Sequence, residues 1–300
     1  MRNLKYINIE AVRELENTIT SKRIREEFSI RDVAFTSRKM RQLFSANSYK
    51  FDLKNGKKIV TKGVYLAPSN EAGKGINTCP NATKLCRSLC LIYSGQMKTG
   101  TAPNSRVQKT RFFYGYPIQF LNKLIDEMFE LGNEALFDGD ILQIRLNGTS
   151  DIKWEKYLNM ELLIQDVPQL TKFYDYTKNP SRDVNSDVYH LTYSLSERAS
   201  SLSQALDYLA KGQSVAVVTS KTEKAELLAH NNPYIIDGDL SDHRPQDPKG
   251  SIVLLSYKGK GATKKQRGTE DGFIKSKLFV ESLIALSSGI IEKVRQCEHS

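Results

Sequence analysis

Acidic side chains follow several predicted strands of this chain, which has 300 residues. Asp151 comes after the segment DILQIRLNG, and Asp239 and Asp242 lie in DGDLSDHR, at the end of the strand PYII. One carboxylate can attack a sugar carbon as nucleophile while a second supplies general acid–base catalysis. This division of labour suits cleavage of a bond between a base and its deoxyribose. We therefore predict that these three aspartates are catalytic.

Basic and polar residues occupy the same strand ends. Lysines and arginines there would hold the phosphates that flank a reacting nucleotide, and a barrel mouth would receive a base taken out of the stack. The predicted substrate-binding residues are Arg145, Asp175, Tyr176, Lys178, Arg244, Lys258 and Lys260.

Several of these residues also have an ordinary structural explanation. Asp151 precedes the helical segment IKWEKYL and could be its N-cap. Asp237 and Asp239 flank Gly238 and could simply shape a turn. His190 lies inside an apolar strand, where a hydrogen-bonded core histidine is more common than a ligand. The accumulation of charged residues at several strand ends favours a site.

Three of the four cysteines lie within the segment NTCPNATKLCRSLC. Cys79, Cys86 and Cys90 have the spacing C-x6-C-x3-C. Three thiolates with a fourth ligand, Cys297 or His243, would make a closed zinc site. An iron–sulfur cluster with one open iron and three ordinary thiols are the alternatives. We predict a structural zinc ion.

Strands alternate with helices over most of the chain, which is typical of a parallel α/β sheet. Seven or eight strands favour a (β/α)8-type barrel, complete or incomplete. Neither a dinucleotide-binding nor a P-loop glycine motif is present. We predict a basic helical N-terminal extension at residues 1–58 and a barrel domain at 59–300, with the cysteine loop at 77–95.

The chain has a formal net charge of +10. Its pI is about 9.3. Such an excess of cations favours nucleic acid as partner, through phosphate contacts and counterion release. No apolar run is long enough to cross a bilayer, and the charged N-terminus does not resemble an export signal. We expect no membrane partner and a cytoplasmic location, whereas the oligomeric state stays open.

The segments NTCPNATKLCRSLC, IRLNGTSD, FYDYTKN and DGDLSDHRPQDPKGSIVLLSYKGKG together resemble the phage DNA guanine transglycosylases. This resemblance covers roughly residues 60–262 and implies a distant relation to the tRNA-guanine transglycosylases, which are zinc-containing (β/α)8 barrels. It implies exchange of guanine in DNA for a 7-deazaguanine base such as preQ0, through an aspartate nucleophile, in the host cell cytoplasm.

On this basis Asp239 or Asp242 is the expected nucleophile and Asp151 the acid–base or base-reading carboxylate. Two departures from the relatives stand out: the cysteines come early in the chain, and GTSD replaces the Ser-Gly-Asp of the phage proteins. The alternatives are an iron–sulfur or radical-type barrel enzyme, and a DNA-binding protein without catalysis.

Overall fold

The computed structural model describes residues 3–34, 42–45, 52–54, 56–258 and 272–297. Its α-helices are α1 (Ile9–Glu16), α2 (Ile19–Glu27), α3 (Ile30–Ala34), α4 (Lys84–Ser88), α5 (Ala102–Gly115), α6 (Pro117–Asp138), α7 (Met160–Asp166), α8 (Ser201–Ala210), α9 (Lys221–Ala229) and α10 (Lys277–Gln296). Its strands are β1 (Asp52–Lys54), β2 (Lys57–Gly63), β3 (Ile141–Arg145), β4 (Leu170–Thr177), β5 (Tyr189–Ser194), β6 (Ser214–Thr219), β7 (Ile235–Asp237) and β8 (Ile252–Ser256). Within these described ranges, no helix is both long enough and apolar enough to cross a membrane.

The chain folds into two compact units. The first comprises Met1–Pro80, Gly95–Asp175 and Asp187–Tyr189, and the second comprises Asn81–Ser94, Tyr176–Ser186 and His190–Ser300. The domain boundary predicted between residues 58 and 59 falls within β2, inside the first unit. The helical N-terminal region and the first strands therefore belong to one compact body.

The first unit contains a hairpin followed by parallel strands. Strand β1 pairs antiparallel with β2, and Gly56, directly before β2, adopts a φ of 77°. Beyond the hairpin, β2 pairs with β3 in parallel, and β3 pairs with β4 in parallel. The parallel arrangement brings the carboxyl ends of β2 and β3 to the same edge, where the chain continues into polar loops.

Residues 102–138 form two helices, because a proline interrupts the helical sequence. Pro117 is the first residue of α6, and the residue before a proline is disfavoured in helical conformation. Accordingly Tyr116 has a φ of −136° and separates α5 from α6. Helix α6 buries an apolar face and ends at Gly139, whose φ of 72° is the left-handed conformation that glycine adopts most easily.

The second unit contains four parallel strands in the order β5-β6-β8-β7. Strand β8 lies between β6 and β7, whereas successive strands are neighbours in a (β/α)8 barrel. In the first unit β1 pairs antiparallel with β2, whereas all the strands of a (β/α)8 barrel are parallel. The mixed α/β class with mainly parallel strands is confirmed, and the described strands do not form a complete (β/α)8 barrel.

Candidate active site

Asp151 lies in the loop after β3, in the first unit. The residue is only 8% exposed, and its main-chain N–H donates to the carbonyl of Thr78 at 2.8 Å. Asp151 is not a helix cap: the helical part of IKWEKYL is a 3-10 turn at Trp154–Lys156 whose N-cap position is Lys153, and Asn159 caps α7 by accepting a hydrogen bond from the N–H of Leu162. The structural explanation of Asp151 as an N-cap is therefore wrong.

The shape of this loop is fixed by Asn147. Its Oδ1 accepts hydrogen bonds from Ser150 Oγ at 2.8 Å, the N–H of Ile152 at 2.9 Å and Trp154 Nε1 at 3.1 Å. Its Nδ2 donates to the carbonyl of Ile152 at 2.9 Å. One buried amide thus holds both sides of Asp151 in place.

Asp175 holds Asn147 in place through hydrogen bonds. It is fully buried, and its carboxylate accepts from the N–H of Asn147 at 2.7 Å and from Asn147 Nδ2 at 2.8 Å. The hydroxyl of Tyr189 also donates to it. We predicted Asp175 as a substrate-binding residue; the structure places it in the interior, where it positions the Asp151 loop.

Two further contacts bind this loop to the segment that carries the first cysteine. Cys79 Sγ lies 3.7 Å from the carbonyl of Thr149, and Thr149 Oγ1 donates to the carbonyl of Leu66. Gly148 packs against the ring of Tyr65, where a Cβ would meet ring carbons at 2.5 Å. Only glycine admits this approach without displacing the ring.

Arg145 is the last residue of β3 and is half-buried. Its carbonyl accepts the N–H of Val64.

The acidic turn after β7, residues 237–244, lies in the second unit. Asp239 Oδ2 accepts from Lys224 Nζ at 2.7 Å and from the N–H of Ser256 at 2.9 Å. Lys224 also forms an ion pair with Asp237. On the other oxygen, Lys258 Nζ lies 3.4 Å from Asp239 Oδ1. The carboxylate is thus held between a buried lysine and an exposed one.

These contacts determine the charge states of the turn. Burial raises the pKa of Asp239, whereas hydrogen bonds from Lys224 and Ser256 lower it. The hydrogen bonds have the larger combined effect, so that the pKa of Asp239 lies well below its ordinary value. For Lys224, burial lowers the pKa, and the hydrogen bonds to Asp237 and Asp239 outweigh it, with a net rise. Asp239 is therefore ionised throughout the physiological range and cannot act as a general acid.

Gly238 allows the turn to pack on β8. A Cβ at this position would meet Val253 Cγ1 at 2.5 Å and Leu255 Cδ2 at 2.7 Å. Asp239 also donates its N–H to Asp237 Oδ1 at 2.8 Å. The two aspartates do shape a turn, and the same turn exposes part of the Asp239 side chain, 23% of it, to solvent.

Arg244 is a structural residue of this turn. It is 1% exposed, its Nη2 donates to the carbonyl of Ser241 at 2.6 Å, and its Nη1 lies 3.2 Å from Asp247 Oδ2. We predicted Arg244 as substrate-binding; its burial gives it a positioning role instead. Asp242, the other candidate nucleophile, is half-buried.

The remaining predicted binding residues differ in their exposure. Lys178 Nζ donates to Ser194 O, Ser194 Oγ and Leu195 O, at 2.9, 2.9 and 3.1 Å, so within the second unit it connects the segment after β4 to the end of β5. Tyr176 is half-buried. The side chain of Lys258 is 56% exposed, and Lys260 lies outside the described residues. Lys258 is the predicted phosphate-binding residue that the structure leaves most accessible.

The predicted zinc ligands are distributed over both units. Cys79 belongs to the first unit, whereas Cys86, in α4, and Cys90, after it, belong to the second. All three are half-buried, and Cys297 is exposed. Across the part of the chain that the structure describes, no three His, Cys, Asp or Glu side chains are grouped to hold a metal ion. The described arrangement thus supplies no complete zinc site.

Sequence reasoning missed Lys224 and Asn147. Lys224 lies in KTEKAELL, a helix in which lysines are expected on the solvent face, and only the position of α9 beside β8 reveals its burial. Asn147 lies in the segment IRLNGTSD, in which Asp151 is the residue with evident catalytic chemistry. An asparagine directly after a buried strand, followed by glycine, is a signal of a hydrogen-bonded turn.

We expect Asn147→Ala to lower the free energy of unfolding by about 3 kcal/mol, because it leaves several buried polar groups without partners. Urea denaturation measures this change. Asn122→Ala on α6, which removes one hydrogen bond to the carbonyl of Ile118, is the matched control and should cost less than about 1 kcal/mol. Equal losses in both variants would contradict the anchoring role.

We expect Lys224→Met to lower the free energy of unfolding at neutral pH by about 3–5 kcal/mol, since it leaves two adjacent carboxylates without their buried counter-ion. Lys221→Met, at an exposed position of the same helix, is the control and should change little.

The pH dependence tests the same interaction. The stabilisation from Asp239 is present above about pH 4 and is lost as pH falls, because its folded pKa is depressed. That from Lys224 is lost as pH rises above about 10.5, because its folded pKa is raised. Both dependences should weaken in Lys224→Met, and unchanged profiles would contradict the ion-pair assignment.

The comparisons with known proteins identify a family. No curated protein and no solved structure matches the chain. Residues 37–276 match the model of a family described as gene product 88. This range covers most of the chain and includes both the Asp151 loop and the acidic turn. The chain therefore belongs to the gene product 88 family.

Proposed function

We propose that the chain is a pentosyltransferase that exchanges guanine in DNA for a 7-deazaguanine base such as preQ0. The observation that supports this proposal best is the state of Asp239. It is an ionised carboxylate on a side chain that is 23% exposed, at the carboxyl ends of parallel strands, the edge at which α/β proteins bind their ligands. An exposed lysine stands beside it.

The contacts of Asp239 suggest which oxygen reacts. Oδ2 is held by Lys224 and by the N–H of Ser256, so it orients the group. Oδ1 is a buried oxygen, and the ammonium of Lys258, whose side chain is 56% exposed, lies 3.4 Å from it. The proposed reaction therefore requires Oδ1 to be uncovered when DNA binds, and on this proposal it is uncovered as Lys258 moves to a DNA phosphate. Lysine is a common phosphate ligand, and the basic surface of the chain strengthens this attraction.

The proposed reaction has two displacements at the sugar C1′. Oδ1 attacks C1′ and forms an ester-like bond, while the bond from C1′ to the guanine nitrogen breaks and the base leaves with a proton from a general acid. The incoming deazaguanine then attacks C1′ through its own ring nitrogen, loses a proton to the general base, and releases the carboxylate. Asp151 is the acid–base candidate on the sequence pattern alone, and within the first unit Asn147 holds its loop in place. Two inversions retain the configuration of the sugar.

Three further expectations belong to this proposal. An incomplete barrel is the fold form that best combines parallel strand pairing with the non-sequential position of β8. A zinc ion bound by Cys79, Cys86 and Cys90 is proposed from the chemistry of the thiols alone, and no step of the reaction depends on it. A protein acting on phage DNA would work in the host cell cytoplasm.

The proposed function is tested by incubating DNA with the protein and a radiolabelled 7-deazaguanine base, then digesting the DNA to nucleosides. We expect label in the nucleosides with the wild type. With Asp239→Asn the rate of incorporation should fall by about a thousandfold or more. Asp183→Asn, at an exposed position of the second unit, is the matched control and should retain activity. Circular dichroism establishes that each variant is folded.

A covalent intermediate provides a second readout. In the absence of incoming base, the wild type should form a denaturation-resistant adduct with DNA, and Asp239→Asn should not. Adduct formation that survives in Asp239→Asn but disappears in Asp242→Asn would overturn the assignment of the nucleophile. Absence of both label and adduct, with DNA affinity unaltered in all the variants, would indicate a DNA-binding protein without catalysis.

Metal analysis tests the cysteines separately. On this proposal the purified protein carries about one zinc ion per chain, and Cys86→Ser and Cys90→Ser lose it. Ser88→Ala, on the same helix α4, should retain the metal. A brown, iron-containing protein would instead support an iron–sulfur enzyme, and a protein without bound metal would contradict the zinc proposal.

A further inference from the structure

Leu240 is a large apolar side chain presented to solvent in the acidic turn. It is 78% exposed and directly follows Asp239, the proposed nucleophile. A single exposed leucine is common on protein surfaces and by itself has no meaning. This leucine, however, is next to a carboxylate that would have to reach a sugar carbon, so on the proposed function its side chain would be close to the bound DNA.

The turn holds Leu240 in a fixed position. On one side the N–H of Asp239 donates to Asp237 Oδ1 at 2.8 Å. The N–H of Leu240 donates to the carbonyl of Asp237 at 3.4 Å. On the other side the carbonyl of Ser241 accepts from buried Arg244 at 2.6 Å. The backbone is thus bonded to half-buried Asp237 on one side of the leucine and to buried Arg244 on the other, whereas the leucine side chain has little packing of its own. The arrangement projects an apolar group outward from a rigid support.

The surroundings of Leu240 favour nucleic acid as the molecule that it contacts. Lys258, with a side chain 56% exposed, lies 3.4 Å from the neighbouring Asp239, so a cation suited to a phosphate accompanies the apolar group. Proteins that deform DNA insert leucine and similar side chains between base pairs, and enzymes that act on a base take it out of the stack. An apolar side chain that enters the vacated space replaces the lost stacking contacts.

We propose that Leu240 is a wedge that enters the DNA stack and stabilises the duplex from which the target nucleotide has been extruded. This inference rests on the proposed function, because it assumes that Asp239 acts on an extruded nucleotide. Leu240 is a positioning residue in this account: it contacts DNA but takes no part in bond breaking. Its loss should therefore matter only where a base must be taken out of a duplex.

The experiment measures binding of the full-length protein to two short duplexes of one sequence, by fluorescence anisotropy. In the first duplex a guanine is paired, and in the second the same guanine lies opposite an abasic site, where extrusion costs less. We expect Leu240→Ala to weaken binding to the paired duplex about tenfold and to the second duplex less than about twofold, since unstacking a paired base costs a few kcal/mol. Leu240→Met should behave like the wild type.

Leu286→Ala, at a leucine of α10 that is 56% exposed, is the control and should leave both affinities unchanged. Equal weakening on both duplexes, or none, would overturn the wedge. Incorporation of labelled base into duplex and heat-denatured DNA separates the two proposals. If the wild type incorporates the base and Leu240→Ala incorporates it into duplex DNA equally well, the wedge alone is refuted. Absent incorporation together with the expected binding difference refutes the transglycosylase and leaves a DNA-deforming wedge.

Discussion

The ion pair between the buried ammonium of Lys224 and the carboxylates of Asp237 and Asp239 is the interaction on which the acidic turn depends. Two carboxylates separated by one glycine would repel each other at the end of a short strand. Lys224, 8% exposed on its side chain, offsets that repulsion and ties α9 to β7. A buried charge of this kind is tolerated only with full pairing, because desolvation is costly. The same pairing keeps Asp239 ionised and in one orientation, which are the properties that a nucleophilic carboxylate needs.

In the first unit, hydrogen bonds rather than an ion pair stabilise the loop that carries a candidate catalytic residue. The Asp151 loop leaves β3 and must bury polar main-chain groups, and Asn147 satisfies them while Asp175 satisfies Asn147. Removing any member leaves the others without partners in an interior of low polarity, so the cost exceeds that of a single bond. In both units the residues that position the candidate catalytic groups are more deeply buried than the groups themselves.

Much of the fold could be predicted from the sequence. The hairpin around Gly56, the alternation of strands and helices, and the break at Pro117 follow from turn chemistry, periodicity and proline sterics, which are local properties. The position of β8 between β6 and β7 could not be predicted, because strand order depends on which apolar faces pack together over long distances. The mixed α/β class is therefore confirmed, whereas the described strands do not form a full (β/α)8 barrel.

For the candidate site, the sequence determined which residue types are present and that they follow strands. It could not determine which of them are exposed. Asp175, Lys178 and Arg244 have the same polar chemistry as Asp239 and Lys258, yet the structure engages the first three in internal contacts and leaves the last two at least partly exposed to solvent. Burial results from packing between segments distant in the chain, here α9 against β8 and β3 beside β4. Tertiary structure alone therefore decided which charged residues support the site and which can meet a ligand.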